Sequence, residues 1–335
     1  IKSYNNKLGV MISILNMNLN SDFAIFEIGT NNFFEIRNLT KLVKPSQIFI
    51  TNILSTHLES FKNKKNIAKE KSDIFNKKFN QNAELLYFHM NSKEEKSIYK
   101  YAKKQKLKKI TKIGQFQLDG YIRNVKKIKS KYQINLKILK KNFSFILNEY
   151  DDAQINNLIF VIAFFILNKI ETNKIFQNKL KFPQVEGRGS VHKILLNDLV
   201  VQLIDQSYNA NPETMLHSIK KFSEIKKKGF QKILLLGDMN ELGINKLNFH
   251  YNVLREINEH VFDKVILSGD FFKKVLDMSP NNKRKYIYRS TSKGIMSYLK
   301  NNLHKKAMMM AKCSNTTEVN KFVKLLKQNM KDSIV

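Results

Sequence analysis

The chain has 335 residues, 42% of them apolar, with 59 basic against 28 acidic side chains, a formal net charge of +31 and a single cysteine. That length and apolar content suit two ordinary cores and exclude a disordered chain, and Cys313 alone excludes an internal disulfide framework or a thiolate zinc site, which fits a reducing interior. The basic excess comes from 53 lysines and only 6 arginines spread over helix faces without interleaved aromatics; it reads as solvated surface and not as a nucleic-acid groove, though a small anion such as a nucleotide stays compatible with it.

No secretory leader and no membrane span are expected. The longest apolar stretch, 155–170, is interrupted by Asn156, Asn157 and Asn168, and falls short of the roughly 18–20 residues a span requires.

In chain order, short apolar runs at Phe23–Ile28, Gln47–Ile53, Glu84–Phe88 and Lys109–Ile113 alternate with helical patterns, among them an amphipathic, lysine-rich helix over Lys62–Lys78. That rhythm predicts an α/β fold with a mainly parallel, doubly wound sheet. Between Gly120 and Leu147 the pattern changes to alternating strands, Tyr121–Ile128, Tyr132–Ile138 and Phe143–Leu147, which predicts an antiparallel meander. A long helix over Gln154–Lys169 follows. Periodicity then breaks in the stretch KLKFPQVEGRGS from Lys179 to Ser190, which places a domain boundary between residues 180 and 181. Strands return near Val200–Ile204, Lys232–Leu236, Lys264–Leu267, Lys285–Tyr288 and Ala307–Ala311, separated by helices.

Several strand ends carry side chains able to do chemistry. Glu27 ends the first run, and Asn52 and His57 follow the second; strand ends of a parallel sheet converge on one rim, so the carboxylate and imidazole can share a cation. As a bare pair they make a weak Mg²⁺ site unless ATP completes it, and surface charge and helix capping are the plain alternatives. Lys71 lies on the lysine-rich helix and spacing alone does not separate it from Lys69. Arg188 sits between Gly187 and Gly189, where a guanidinium can stack on a base or hold a phosphate, or simply face solvent. The densest polar loop is Asp205-Gln206-Ser207-Tyr208-Asn209-Ala210-Asn211, leaving one apolar strand and entering a helix opened by Pro212. A second strand runs into the acidic loop Gly237–Gly243, GDMNELG. Lys312, Cys313 and Ser314 follow the last strand, and Ser314 and His250 are each compatible with a purely structural role at a helix start. Neither GxGxxG nor GxxxxGK[ST] occurs in these residues.

These motifs resemble the Mur ligase family. The Asp205–Met215 and Gly237–Gly243 segments carry the resemblance most specifically. Asn5–Val10, Glu27-Ile28-Gly29, Thr51-Asn52 with His57-Leu58-Glu59, and Ala68–Phe75 recur in the family's order and spacing. The resemblance falls on the branch that adds D-Ala-D-Ala and spans nearly the whole chain. It implies residues 1–180 as a central ATPase domain lacking its P-loop, with a mainly parallel sheet plus the meander, and residues 181–335 as a Rossmann-like C-terminal domain. It also implies ATP-dependent amide formation between D-Ala-D-Ala and UDP-N-acetylmuramoyl-tripeptide through an acyl phosphate, in peptidoglycan synthesis, by a monomer in a bacterial cytoplasm.

Carried over residue by residue, the resemblance makes Glu27 and His57 Mg²⁺ ligands and Lys71 a CO₂-derived carbamate that holds a second Mg²⁺. Asn52, Gln154, Arg188, Asp205, Gln206, Ser207, Tyr208, Asn209 and Asn211 become nucleotide contacts, and Asn6, Lys312 and Ser314 substrate contacts. The sequence departs from the family's pattern at Met11, Gln154, Gln206, Cys313 and Asn315, and residues 1–335 contain no P-loop. The 335 residues alone are therefore expected not to turn over ATP. Two other readings stay open: a degenerate paralogue that binds nucleotide or wall precursor, and a related ligase such as a folylpolyglutamate synthase.

Overall fold

Short apolar or alternating segments bounded by polar loops build two mixed sheets in this computed structural model, which describes residues 4–90, 92–176, 180, 182, 185–278 and 285–331. The chain folds as two compact units, one of Ile1–Ile53 with Ser60–Phe182 and one of Leu54–Glu59 with Pro183–Val335. The break near residues 179–190 falls partly on positions outside the described residues, Pro183 among them.

In the first unit α1 (Lys7–Leu15) and α2 (Glu35–Val43) precede β1 (Gln47–Ile50). α3 (Leu58–Phe61), whose first two residues belong to the second unit, α4 (Lys64–Ser72), β2 (Leu85–Met90), α5 (Lys93–Lys103) and β3 (Lys109–Gly114) follow. β4 (Gly120–Ile128), β5 (Lys131–Ile138) and β6 (Lys141–Leu147) then lead to α6 (Asp152–Leu167) and α7 (Asn173–Phe176). The sheet order is β1-β2-β3-β4-β5-β6, parallel as far as β4 and antiparallel beyond. The meander follows from strict alternation: Ile134, Leu136 and Ile138 of β5 are buried, while the residues between them are at least partly exposed. Against that face packs α6, with Ile155, Ile159 and Ile162 fully buried.

Two expected elements differ. The run Phe23–Ile28 forms no regular element and joins no ladder, and Ile25 is 89% exposed. Apolar, aromatic and β-branched residues supply β-propensity, but a strand needs a neighbour, and among the described residues β1 pairs only with β2. The helix expected over Lys62–Lys78 is α4 alone, capped by Asn63 and tightening into a 3₁₀ turn at Asp73–Phe75.

The second unit comprises β7 (Ser190–Leu196), β8 (Leu199–Gln206), α8 (Pro212–Glu224), β9 (Gln231–Gly237), α9 (Lys246–Asn258) and β10 (Lys264–Ser268). α10 (Asp270–Asp277), β11 (Ile287–Tyr288), α11 (Ser292–Asn302), β12 (Ala307–Lys312) and α12 (Glu318–Lys331) complete it. The order is β11-β10-β9-β12-β8-β7, parallel except for the hairpin partner β7. All six residues of β12 are buried, as a central strand with helices on both faces requires. Because β12 returns between β8 and β9, the helices that leave β8 and β9, α8 and α9, pack on one face of the sheet and α12, which leaves β12, packs on the other. Such a reversal opens a crevice outside the carboxyl ends of the strands. Edge strand β7 was not foreseen; His192 and Lys193 interrupt its apolar positions, and only one of its faces is buried.

Candidate active site

In the first unit, the Glu27 carboxylate accepts a hydrogen bond from Asn5 Nδ2 at 3.0 Å, and the Gly29 N–H donates to the Asn5 carbonyl at 2.8 Å. A Cβ on Gly29 would lie 2.9 Å from the Asn5 side chain, so a larger residue there would displace the amide that holds Glu27. Asn6 caps α1, accepting from Gly9 N–H at 2.8 Å. Glu70, buried, accepts from the Phe34 and Ile36 amides at 2.9 and 3.0 Å and so fixes the start of α2 beside α4.

Next along α4, Lys71 donates from Nζ to the Asn52 carbonyl at 3.2 Å. Lys71 retains some exposed surface, but its amine is closely surrounded by protein. Desolvation lowers its pKa, with the Glu95 carboxylate opposing. Glu95 is itself buried, in a capping box with Ser92 at the start of α5, and lies 3.9 Å from His89. Gln154 sits in the first turn of α6 with its side chain exposed and its amide donating to the Asp151 cap at 3.0 Å.

In the second unit, adjacent strands β8, β12 and β9 deliver three loops to one rim. Asp205, 1% exposed, accepts from the Ser207 amide and hydroxyl at 2.9 and 2.7 Å and pairs with Lys327 on α12. Burial pushes its carboxyl up, but Lys327 and Ser207 outweigh that and hold it below the ordinary carboxylate range. Lys327 also reaches Glu186 at 3.1 Å. Gln206 accepts from Ser218 Oγ at 2.5 Å. The exposed Arg188 guanidinium lies 4.5 Å over the Tyr208 ring, and a Cβ on Gly187 (φ 73°) would come within 2.8 Å of Tyr208 Cβ. Asn211 closes a capping box with Thr214 at the start of α8, where Pro212 occupies the first turn.

Lys312 is 5% exposed and reaches the Asn209 carbonyl at 3.4 Å. Burial, with Arg188 adding to it, lowers its pKa to about 8. Its neighbour Cys313 is fully buried, and burial pushes the thiol up to about 12. Ser314 stitches two rim loops together, its amide donating to the Asp238 carbonyl at 3.1 Å and its hydroxyl accepting from Asn240 N–H at 2.9 Å. Asp238 accepts from the Phe271 and Phe272 amides at the start of α10, and burial raises its carboxyl to about 6. His250 is the fifth residue of α9 and not its opening residue. It is buried, Nε2 accepting from Met239 N–H at 3.0 Å and Nδ1 facing the Lys246 carbonyl at 2.6 Å, and burial lowers its pKa to about 4.

Residues 1–165 match the family described as the Mur ligase middle domain. The UDP-N-acetylmuramoyl-tripeptide–D-alanyl-D-alanine ligase of Buchnera aphidicola is 27% identical over 339 residues, covering 99% of this chain and 71% of that protein. Residues 1–165 of this chain are a Mur ligase middle domain. The Mur ligase fold extends through both units. MurF from Acinetobacter baumannii matches 98% of this chain and 70% of its own at a TM-score of 0.80 and 20% identity. MurF from Thermotoga maritima, solved in complex with ADP, matches 98% of this chain and 72% of its own at 0.76 and 18%.

The expected site residues divide between the units. Glu27, Asn52 and Lys71 fall in the first, and His57 in the second with Arg188, the 205–211 loop, Lys312 and Ser314. Among the described residues no group of three or more His, Cys, Asp or Glu side chains is gathered to hold a metal. The expected set holds only two such residues and relies on a modified Lys71 for the third. Sequence reasoning missed the partners: Lys327 and Asn320 around Asp205 and Ser207, Glu213 on Ser55, and Glu241 on His57. Only the acidic letters of GDMNELG hinted at the last. Among the described residues no helix is long and apolar enough to cross a membrane.

Proposed function

We propose that this Mur ligase joins D-Ala-D-Ala to UDP-N-acetylmuramoyl-tripeptide at the cost of ATP, in peptidoglycan synthesis, as a monomer in a bacterial cytoplasm. The carrying observation is the rim of the second unit, where the SYNANP loop, the GDMNELG loop and the Lys312–Ser314 turn meet at the carboxyl ends of three adjacent parallel strands. The relatives named above, and an ADP complex of a protein with this fold, support the same reading. In this reading residues 1–180 form the central ATPase domain and residues 181–335 the C-terminal domain.

The terminal carboxylate of the tripeptide attacks the γ-phosphorus of ATP, giving an acyl phosphate and ADP. The amine of D-Ala-D-Ala then attacks the acyl carbon, releasing phosphate and a proton and leaving the amide. Arg188 and Tyr208 supply a stacked cation and ring for the nucleotide, with Asn52, Gln154, Gln206, Asn209 and Asn211 as further polar contacts. Asp205 and Ser207 act there by shaping the loop, since both side chains are occupied within it. Lys312, a buried cation with no carboxylate at hydrogen-bond distance among the described residues, suits a phosphate or the dipeptide carboxylate, with Asn6 and Ser314 as further substrate contacts.

Glu27, His57 and a carbamate on Lys71 would hold Mg²⁺, two ions in all, and the donor chemistry fits. A neutral amine attacks CO₂ and loses one proton to become a carbamate, and the lowered pKa of Lys71 favours the neutral amine. Bound Mg²⁺ supplies charge neutralisation for the transferring phosphoryl group. The test is phosphate release by the full-length gene product with ATP, Mg²⁺, the tripeptide nucleotide and D-Ala-D-Ala, with mass spectrometry of the product. Phosphate release that needs both substrates supports the reading; absence of the amide product overturns it.

A further inference from the structure

Two residues held in left-handed backbone conformation meet in the second unit: His57 at φ 53° and Glu241 at φ 61°. Neither is glycine, and such conformations persist only where the surroundings over-determine them. The surroundings here do so. Ser55 donates to the Glu213 carboxylate through its amide at 3.2 Å and its hydroxyl at 2.7 Å. Glu59 N–H donates to the Glu241 carbonyl at 3.0 Å. Gly243, itself at φ 66°, lies so close that a Cβ there would meet the Leu58 carbonyl oxygen at 3.2 Å.

These contacts hold residues 54–59 without any help from the Glu241 side chain. That side chain nevertheless pairs with His57 Nδ1, and at 52% and 27% exposure the pair contributes little to stability. Its effect is on orientation. A carboxylate on Nδ1 keeps the proton on that nitrogen and leaves the lone pair on Nε2, and a ligating histidine is commonly fixed in this way.

We propose that Glu241 is the positioning residue of His57, holding the imidazole in its Nδ1–H tautomer so that Nε2 is presented to a divalent cation. The second clause rests on the metal role of His57 given above; the first does not. The test is ¹⁵N NMR of the imidazoles at pH 8, with His57→Gln used to assign the signal, alongside Mn²⁺ titration followed by EPR. The wild-type protein is expected to show the Nδ1–H form. Glu241→Ala is expected to move His57 toward Nε2–H and to weaken Mn²⁺ roughly 10- to 100-fold. Glu241→Gln keeps an accepting oxygen and is expected to retain both properties. A His57 signal unchanged in Glu241→Ala overturns the proposal. Mn²⁺ affinity unchanged in His57→Gln would remove His57 as a metal ligand, and the tautomer measurement would then judge Glu241 separately.

Discussion

Lys312 illustrates how a site residue can oppose stability. Unfolded, its ammonium ion releases a proton near the ordinary 10.5; folded, it does so at about 8. Between those values the unfolded chain binds more protons, so the cost of burying the charge is present in full below pH 8 and fades as pH rises toward 10.5. Lys312→Met is therefore expected to raise stability at pH 7, by at most on the order of 3 kcal/mol, and by much less at pH 10. Urea unfolding at the two pH values measures this, and an equal gain at both would contradict it. The residue types at this rim were legible in the sequence, but their partners were not. Asp205 and Lys327 are 122 positions apart, and nothing in a single chain of letters pairs one lysine of 53 with a particular aspartate. The same holds for His57 and Glu241. Lys71, by contrast, could not be told from Lys69 by spacing, because what distinguishes it is packing around its amine.

Elements were readable where burial is two-sided. β9 and β12 are built on continuous apolar runs because helices cover both faces of the sheet, and both were placed within a residue or two. β7, with one covered face and charged residues between its buried positions, was missed for the converse reason. The run Phe23–Ile28 has the apolar composition of a strand but joins no ladder. Helix starts were better marked: Pro212 announces α8 from sequence alone, and Asn211 before it closes a capping box. Asn211→Ala is expected to lower stability by about 1 kcal/mol, and Asn211→Ser by much less, since a hydroxyl still accepts from the Thr214 amide. Differential scanning calorimetry of the two variants checks this. Equal melting temperatures for Asn211→Ala and the parent would show that α8 starts without its cap.

Each unit has its own interior. The two buried clusters flanking the second sheet, one with Leu236, Phe272 and Met310 and the other with Leu235, Ala311 and Phe322, draw every member from residues after 193. A polypeptide of residues 183–335 is accordingly expected to fold alone and melt in one cooperative transition by circular dichroism. A gradual, non-cooperative melt would mean that residues 54–59 are required. The sole thiol of the protein lies inside that second interior, at 0% exposure and with its proton held until about pH 12. Neither solvent access nor thiolate chemistry is open to it while the sheet is intact. Aromatic disulfide reagents should therefore leave native Cys313 untouched and modify it only as fast as its surroundings open. The rate of colour development would then give the opening free energy of this half of the molecule, without any engineered label.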